Sequence, residues 1–148
     1  MAPAALSEAL RSRFGDAIIA TAEFRGELTL AIKPEALAPI CEFFRDEMAF
    51  DLLLDISSVD HFEHEPRYEV VYELYSLARH VHLRLKTTAE SERPEVATVS
   101  KLWPAAEWHE REIWDMMGIR FAGHPDLRRI IMWEGFPYHP LRKDFPLE

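Results

Sequence analysis

Tyr68-Glu69-Val70-Val71-Tyr72-Glu73-Leu74-Tyr75 and, after a short gap, Val81-His82-Leu83-Arg84-Leu85-Lys86 decide the fold. Tyr68, Val70, Tyr72 and Leu74 alternate with Glu69, Val71, Glu73 and Tyr75; Val81, Leu83 and Leu85 alternate with His82, Arg84 and Lys86. Side chains on a strand point to opposite faces in turn, so each run has an apolar side and a polar one. A turn centred on Ala78-Arg79 sets Glu73 opposite Arg84 and Leu74 opposite Leu83. Apolar groups then meet on one face and opposite charges on the other. The pattern predicts an antiparallel hairpin, even though Ala-Arg is poor two-residue turn chemistry.

Upstream, residues 4–14 read as an amphipathic helix with Leu6, Ala9, Leu10 and Phe14 on one side. Two β-rich runs, Ala17 to Phe24 and Glu27 to Lys33, flank a turn at Arg25-Gly26, and Leu28, Leu30 and Ile32 share a face. Pro34 suits a helix start, and Leu37, Ile40, Cys41, Phe44 and Met48 form one helical stripe. Pro39 demands either a tight first turn or a regular helix beginning near Ala38. Leu52 to Val59 reads as a buried strand with Leu52, Leu54 and Ile56 on one face, and 90–95 as a polar loop. The order predicts an α+β fold: a two-layer α-β-β-α-β-β-β domain with helices on one face of a mostly antiparallel sheet. This domain takes in residues 1–97; residues 98–148 form a helix and an extended C-terminal tail that binds a partner.

At 148 residues the chain suffices for one such domain with an appendage. Its net charge is −9, and residues 42–73 hold ten acids against only Arg45 and Arg67. Nucleic acid is an unsuitable ligand for such a surface, because phosphate binding needs a basic patch. The acidic stretch reads as a solvated face, with electrostatic docking as the alternative. No window supplies the ~18 apolar residues of a membrane span, and the first residues lack the apolar core of a signal peptide. One cysteine, Cys41, excludes an internal disulfide and an iron–sulfur cluster held by this chain's own thiolates.

All four tryptophans lie between 103 and 133. Pro104 and Gly118 bracket a helix on which Trp103, Ala106, Glu110, Ile113, Trp114 and Met117 fall within one ~100° arc. Glu110 therefore sits on the dry face and needs a cation or backbone donors. A salt bridge to Arg128, Arg129 or Arg142 is the structural reading; a general acid or base is the catalytic alternative. Glu107 with Arg111, and Arg111 with Asp115, have the spacing to pair on the wetter side. After Ile130 come Ile131, Met132, Trp133, Phe136, Tyr138, Leu141, Phe145 and Leu147, with three X-Pro steps that forbid a helix. Such a strip either wraps its own domain or awaits a partner, and partner binding is the expectation.

Metal and hydrolase signatures fail. His109-Glu110 starts like a zinc-protease helix, but the second histidine's position holds Ile113. The pairs His61/His64 and His80/His82 lack a third fixed ligand. No P-loop, G-x-G-x-x-G or G-x-S-x-G occurs.

Glu110-Arg111-Glu112, Asp115-Met116-Met117, His124, Arg128 and Ile130-Ile131, in this spacing, resemble the signature of the 30 kDa (C) subunit family of respiratory complex I. Leu102 to Trp108, Gly118-Ile119, Gly135-Phe136, and Leu141 to Leu147 are similar to that family too, as are Phe50 to Leu53 and Asp55 to Asp60. The resemblance covers most of residues 30–147. It implies a scaffold subunit of the peripheral arm of proton-translocating NADH:quinone oxidoreductase, peripheral on the cytoplasmic side of the cell inner membrane. It also implies no active site and no cofactor in this chain: NAD, FMN, iron–sulfur clusters and quinone belong to partner subunits. The implied partners are the hydrogenase-like large (49 kDa, D) subunit and the B and I subunits. Glu110, Arg111, Glu112, Asp115, His124, Arg128, Trp133, Phe136, Tyr138, Leu141, Arg142, Lys143, Asp144 and Phe145 become structural and interface residues under this resemblance. The alternatives are the equivalent subunit of a membrane-bound hydrogenase or a ferredoxin- or F420-linked quinone reductase, and a stand-alone metal-dependent enzyme using Glu110 with His109, His61 or His64. Many relatives extend beyond the Lys-Asp-Phe stretch, whereas this sequence ends at Glu148.

Overall fold

A computed structural model describes residues 3–132 and 139–142. Helix α1 (Pro3–Phe14) leads into the hairpin of β1 (Ile18–Phe24) and β2 (Glu27–Ile32). Arg25 and Gly26 both have positive φ, 52° and 81°, the geometry whose twist suits a two-residue hairpin. Helix α2 (Leu37–Asp46) follows a tight 3-10 turn over Pro34–Ala36. Both ways of accommodating Pro39 therefore operate together: the first turn is tight, and Pro39 falls third in the regular helix, where its missing N–H has no partner to lose.

Strands β3 (Leu52–Asp60), β4 (Tyr68–Ser76) and β5 (Val81–Ala89) complete a sheet of order β1-β2-β5-β4-β3. Only the β2–β5 pair is parallel within it. The expected hairpin register holds, with Glu73 opposite Arg84 and Leu74 opposite Leu83. On the outer face Arg84 Nε donates to Glu73 Oε1 at 2.6 Å. The connection is wider than a two-residue turn: residues 77–80 form it, with Arg79 N–H donating to Ser76 Oγ and His80 at φ 54°.

Strand β3 corrects the expectation for its face. A bulge between Leu53 and Asp55 puts Leu53 and Ile56 inside, while Leu52 and Leu54 are 37% and 50% exposed. One extra residue reverses the alternation, which a period-two reading cannot detect. It is also an edge strand, paired on one side only.

Leu6 and Leu10 of α1 and Leu37, Ile40, Cys41 and Phe44 of α2 join Leu28, Leu30, Ile32, Leu74, Leu83 and Leu85 in one buried core. Each large aliphatic or aromatic side chain so buried is worth about 1.5–3 kcal/mol. After β5 comes β6 (Glu95–Ala97), then α3 (Ala106–Met117), then β7 (Arg120–Ala122), which pairs in parallel with β6. Strands of three residues carry too little alternation to be read from sequence. Helix α3 packs along β3, and Trp103 Nε1 donates to the Phe50 carbonyl at 3.0 Å, fixing the chain just before it. Gly118 ends α3 in the left-handed conformation, φ 76°. No helix among the described residues is long and apolar enough to cross a membrane.

Candidate functional site

The arc predicted for α3 forms in the main: Trp103, Ala106, Glu110, Ile113 and Met117 are buried, while Trp114 is half-buried. Glu110 has no solvent exposure, as expected, but its partners differ from those expected. Thr98 Oγ1 lies 2.5 Å from Oε1, and the Val99 N–H donates to Oε2 at 2.9 Å. His124 Nε2 approaches Oε1 only to 3.9 Å, and among the described residues no arginine forms a salt bridge with this carboxyl. Arginine pairing is drawn instead to Asp115, whose short side chain faces the chain leaving β7. Burial pushes the Glu110 carboxyl above its ordinary range; the Thr98 and Val99 hydrogen bonds, and His124, oppose that.

His124 is held from both ring nitrogens. Nδ1 accepts the Asp126 N–H at 2.9 Å, which places the ring proton on Nε2, donating to the Glu107 carbonyl at 3.0 Å. Burial, first, and the Glu110 charge raise the Cys41 thiol well above its usual range; burial, then Cys41 and Glu110, do the same to the Tyr72 phenol. Such a thiol is inert.

Asp115 is equally buried and differently served. Its Oδ2 accepts the backbone N–H groups of Ile130, Ile131 and Met132 at 3.1, 2.6 and 2.8 Å. Its Oδ1 accepts Arg129 Nη1 at 3.0 Å. Arg111 donates from Nε to the Arg128 carbonyl at 3.0 Å and stacks its guanidinium 4.9 Å from the Trp108 ring centre. Arg111 and Asp115 therefore do not form the solvated pair their spacing suggested. Residues 124–132 cover that side of α3, and each group finds backbone there instead.

Residues 139–142 return to the end of α3. The Leu141 N–H donates to the Met116 carbonyl at 2.9 Å, and Arg142 Nε to the Met117 carbonyl at 2.6 Å. His139 Nδ1 lies 3.0 Å from the Asp115 carbonyl, and its ring sits 5.5 Å from that of Trp114. Burial and the nearby Arg142 and Arg129 hold the His139 imidazole below its usual range. Gly118 makes this closure possible: a Cβ there would collide with Arg142 Nη2 and stand 2.7 Å from His139 Cδ2.

Of the residues expected to matter, Glu110, Arg111, Asp115, His124 and Arg142 converge between α3 and the C-terminal segment. Arg128 is exposed and pairs with Asp126 at 2.7 Å; Glu112 and Leu141 are exposed beside β3. Trp133, Phe136, Tyr138, Lys143, Asp144 and Phe145 lie outside the described residues. Thr98, Val99 and His139 were missed, since no spacing rule ties residue 98 to 110 or 139 to 115. Among the described residues, no three His, Cys, Asp or Glu side chains gather as a metal site.

A profile of the respiratory-chain NADH dehydrogenase 30 kDa subunit family matches residues 30–148. The C 2 subunit of NADH-quinone oxidoreductase from Rhizobium etli (strain CIAT 652) is 49% identical over 140 residues, covering 93% of this chain and 74% of that protein. The C subunit of the same enzyme from Roseiflexus sp. (strain RS-1) is 44% identical over 146 residues, covering 97% and 84%. Among solved structures, the Nqo5 trypsin-resistant fragment (1-134) superposes with a TM-score of 0.72 at 29% identity, over 82% of this chain and 98% of that one. A chain of the archaeal membrane-bound sulfane sulfur reductase reaches 0.84 at 22% identity, over 97% and 85%, a likeness of fold. With the family profile running from within β2 to the last residue and relatives near half identical over almost the whole length, the chain belongs to the respiratory-chain NADH dehydrogenase 30 kDa subunit family.

Proposed function

We propose that the chain is a cofactor-free scaffold subunit of the peripheral arm of a proton-translocating NADH:quinone oxidoreductase. In this reading it braces the hydrogenase-like large (D) subunit beside the B and I subunits, on the cytoplasmic side of the inner membrane. NAD, FMN, the iron–sulfur clusters and quinone are carried by those and other partner chains, and electrons pass through them.

One observation carries the reading. The buried charged side chains of the family signature point at the chain's own backbone: Glu110 at Val99, Arg111 at the Arg128 carbonyl, Asp115 at the amides of 130–132. A general acid or nucleophile must reach a substrate, whereas Arg111 and Asp115 clamp a C-terminal segment into one position and Glu110 ties α3 to the chain just after β6. That segment carries outward-facing apolar groups, Ile131 at 57% and Leu141 at 63% exposure, which a neighbouring polypeptide would cover. In this reading the partner-binding element is a segment first clamped by its own domain and then presented.

The test is affinity purification of the tagged full chain from detergent-solubilised membranes. Co-purification of an NADH-oxidising, iron–sulfur-containing assembly with quinone-reductase activity is expected. A chain that purifies alone, or with stoichiometric zinc or iron of its own, overturns the reading.

A further inference from the structure

Glu112 is a signature residue whose side chain forms no hydrogen bond among the described residues. It is exposed, and among the described residues it makes no ion pair. It stands at the rim of a cleft of about 270 Å³ between α3 and the edge of β3. Ile113, Met116, Met117 and Leu141 give the cleft its apolar lining, and Asp55 supplies a second carboxylate from the strand. His109 Nδ1 lies 3.5 Å from Asp55 Oδ1, whereas no side chain among the described residues pairs with Glu112.

The combination selects among occupants. A purely apolar side chain would satisfy the lining but would strip water from Glu112 without replacing it. An acidic segment would be repelled by both carboxylates and by a chain whose net charge is −9. Lysine or arginine fits both halves, its methylene stem against methionine and leucine and its cationic head at the rim. The serines of β3 at 57 and 58 add hydroxyls beside the head group. Because β3 is paired on one side only, its edge leaves backbone groups available to an incoming chain near the same place.

We propose that this cleft docks a basic side chain from a neighbouring polypeptide of the assembly, with Glu112 as its principal ion-pair partner. The inference rests on the scaffold reading and adds the chemistry of one contact. Leu141 reaches the cleft because its N–H is bonded to the Met116 carbonyl at the end of α3, so closing the C-terminal segment completes the docking site.

The experiment places the photo-cross-linker p-benzoylphenylalanine at Ser57, exposed on the cleft, in the full chain within its native membranes. The expected product joins Ser57's position to a different polypeptide, at a peptide with lysine or arginine within a few residues. Glu112→Arg should cut its yield about tenfold, while Glu112→Asp retains it. Cross-linking to this chain's own residues 133–148, to a second copy, or to a segment lacking basic residues overturns the proposal. So does an unchanged yield in Glu112→Arg, or no product in an assembled complex. The scaffold reading fails separately, when the chain without cross-linker is found outside any assembly.

Discussion

Glu110 and Asp115 are carboxyl groups on the same helix, both fully buried, yet their surroundings ask opposite things of them. Glu110 faces one backbone N–H and a threonine hydroxyl, and a hydroxyl can donate or accept. A protonated Glu110 would therefore still find a partner, and burial favours that form. Asp115 faces four N–H groups, three of them backbone amides, and none can accept a proton in return. The first group joins α3 to the chain just after β6, at Thr98 and Val99. The second is an anionic anchor for the C-terminal segment. Residue type and burial alone would have classed them together; the direction of the neighbouring dipoles separates them.

The largest expected effect tests that separation directly. Asp115→Asn turns an amide NH2 toward Arg129 or toward the amides of 130–132, and should cost about 3–5 kcal/mol. Glu110→Gln keeps an oxygen for Val99 N–H and can donate to Thr98, so its cost should stay near or below about 1 kcal/mol. Urea denaturation measures both, and equal losses would erase the distinction between the two sites.

Gly118→Ala comes next. It adds a Cβ at φ 76° into contact with Arg142 and His139, for an expected loss of about 1–3 kcal/mol. Hydrogen exchange should localise the damage. The Leu141 amide, bonded to Met116, should exchange faster, while the Val99 amide on Glu110 keeps its protection. Equal acceleration at both amides would mean that the two ends of α3 open as one unit.

The smallest effects are in pH. The folded Glu110 carboxyl holds its proton more tightly than an ordinary carboxyl of pKa 4.5, so its contribution is complete below pH 4.5 and declines as pH rises through the folded pKa. Glu110→Gln should flatten that decline in the urea midpoint. His139 runs the other way: its imidazole is held below 6.5, so its contribution is present above pH 6.5 and is lost as pH falls through the folded value. His139→Gln should remove this acid-side loss. If the midpoint of either variant tracks that of the parent at every pH, the group concerned is not coupled to folding as described.

Much of this architecture could be read before any coordinates. The β4–β5 register followed from alternation, because a shift of one residue would have faced charge with leucine across the whole hairpin. The buried stripe on α2 and the dry position of Glu110 followed from helical period. Besides the partners of Glu110, three readings failed, each for a reason outside local pattern. Leu54's bulge turned two leucines of β3 outward, although Leu-Leu-Leu reads the same with or without it. The three-residue strands β6 and β7 are shorter than one useful period. Arg111 and Asp115 looked solvated because their i,i+4 spacing permits a pair, and nothing nearby in sequence announces that residues 124–132 will cover them.

Sequence by itself determined the periodic features and the kinship: which face of each element is apolar, where a left-handed residue ends α3, and the spaced signature that marks the family. Those properties depend on residues within a turn or two of one another, or on order along the chain. Tertiary structure decided which partner each buried charge would have. Glu110 met Val99 and Asp115 met the amides of 130–132, contacts spanning 11 to 17 positions. Hydrogen bonds are short-ranged and directional, so such assignments exist only once the sheet, α3 and the returning segment occupy the same space.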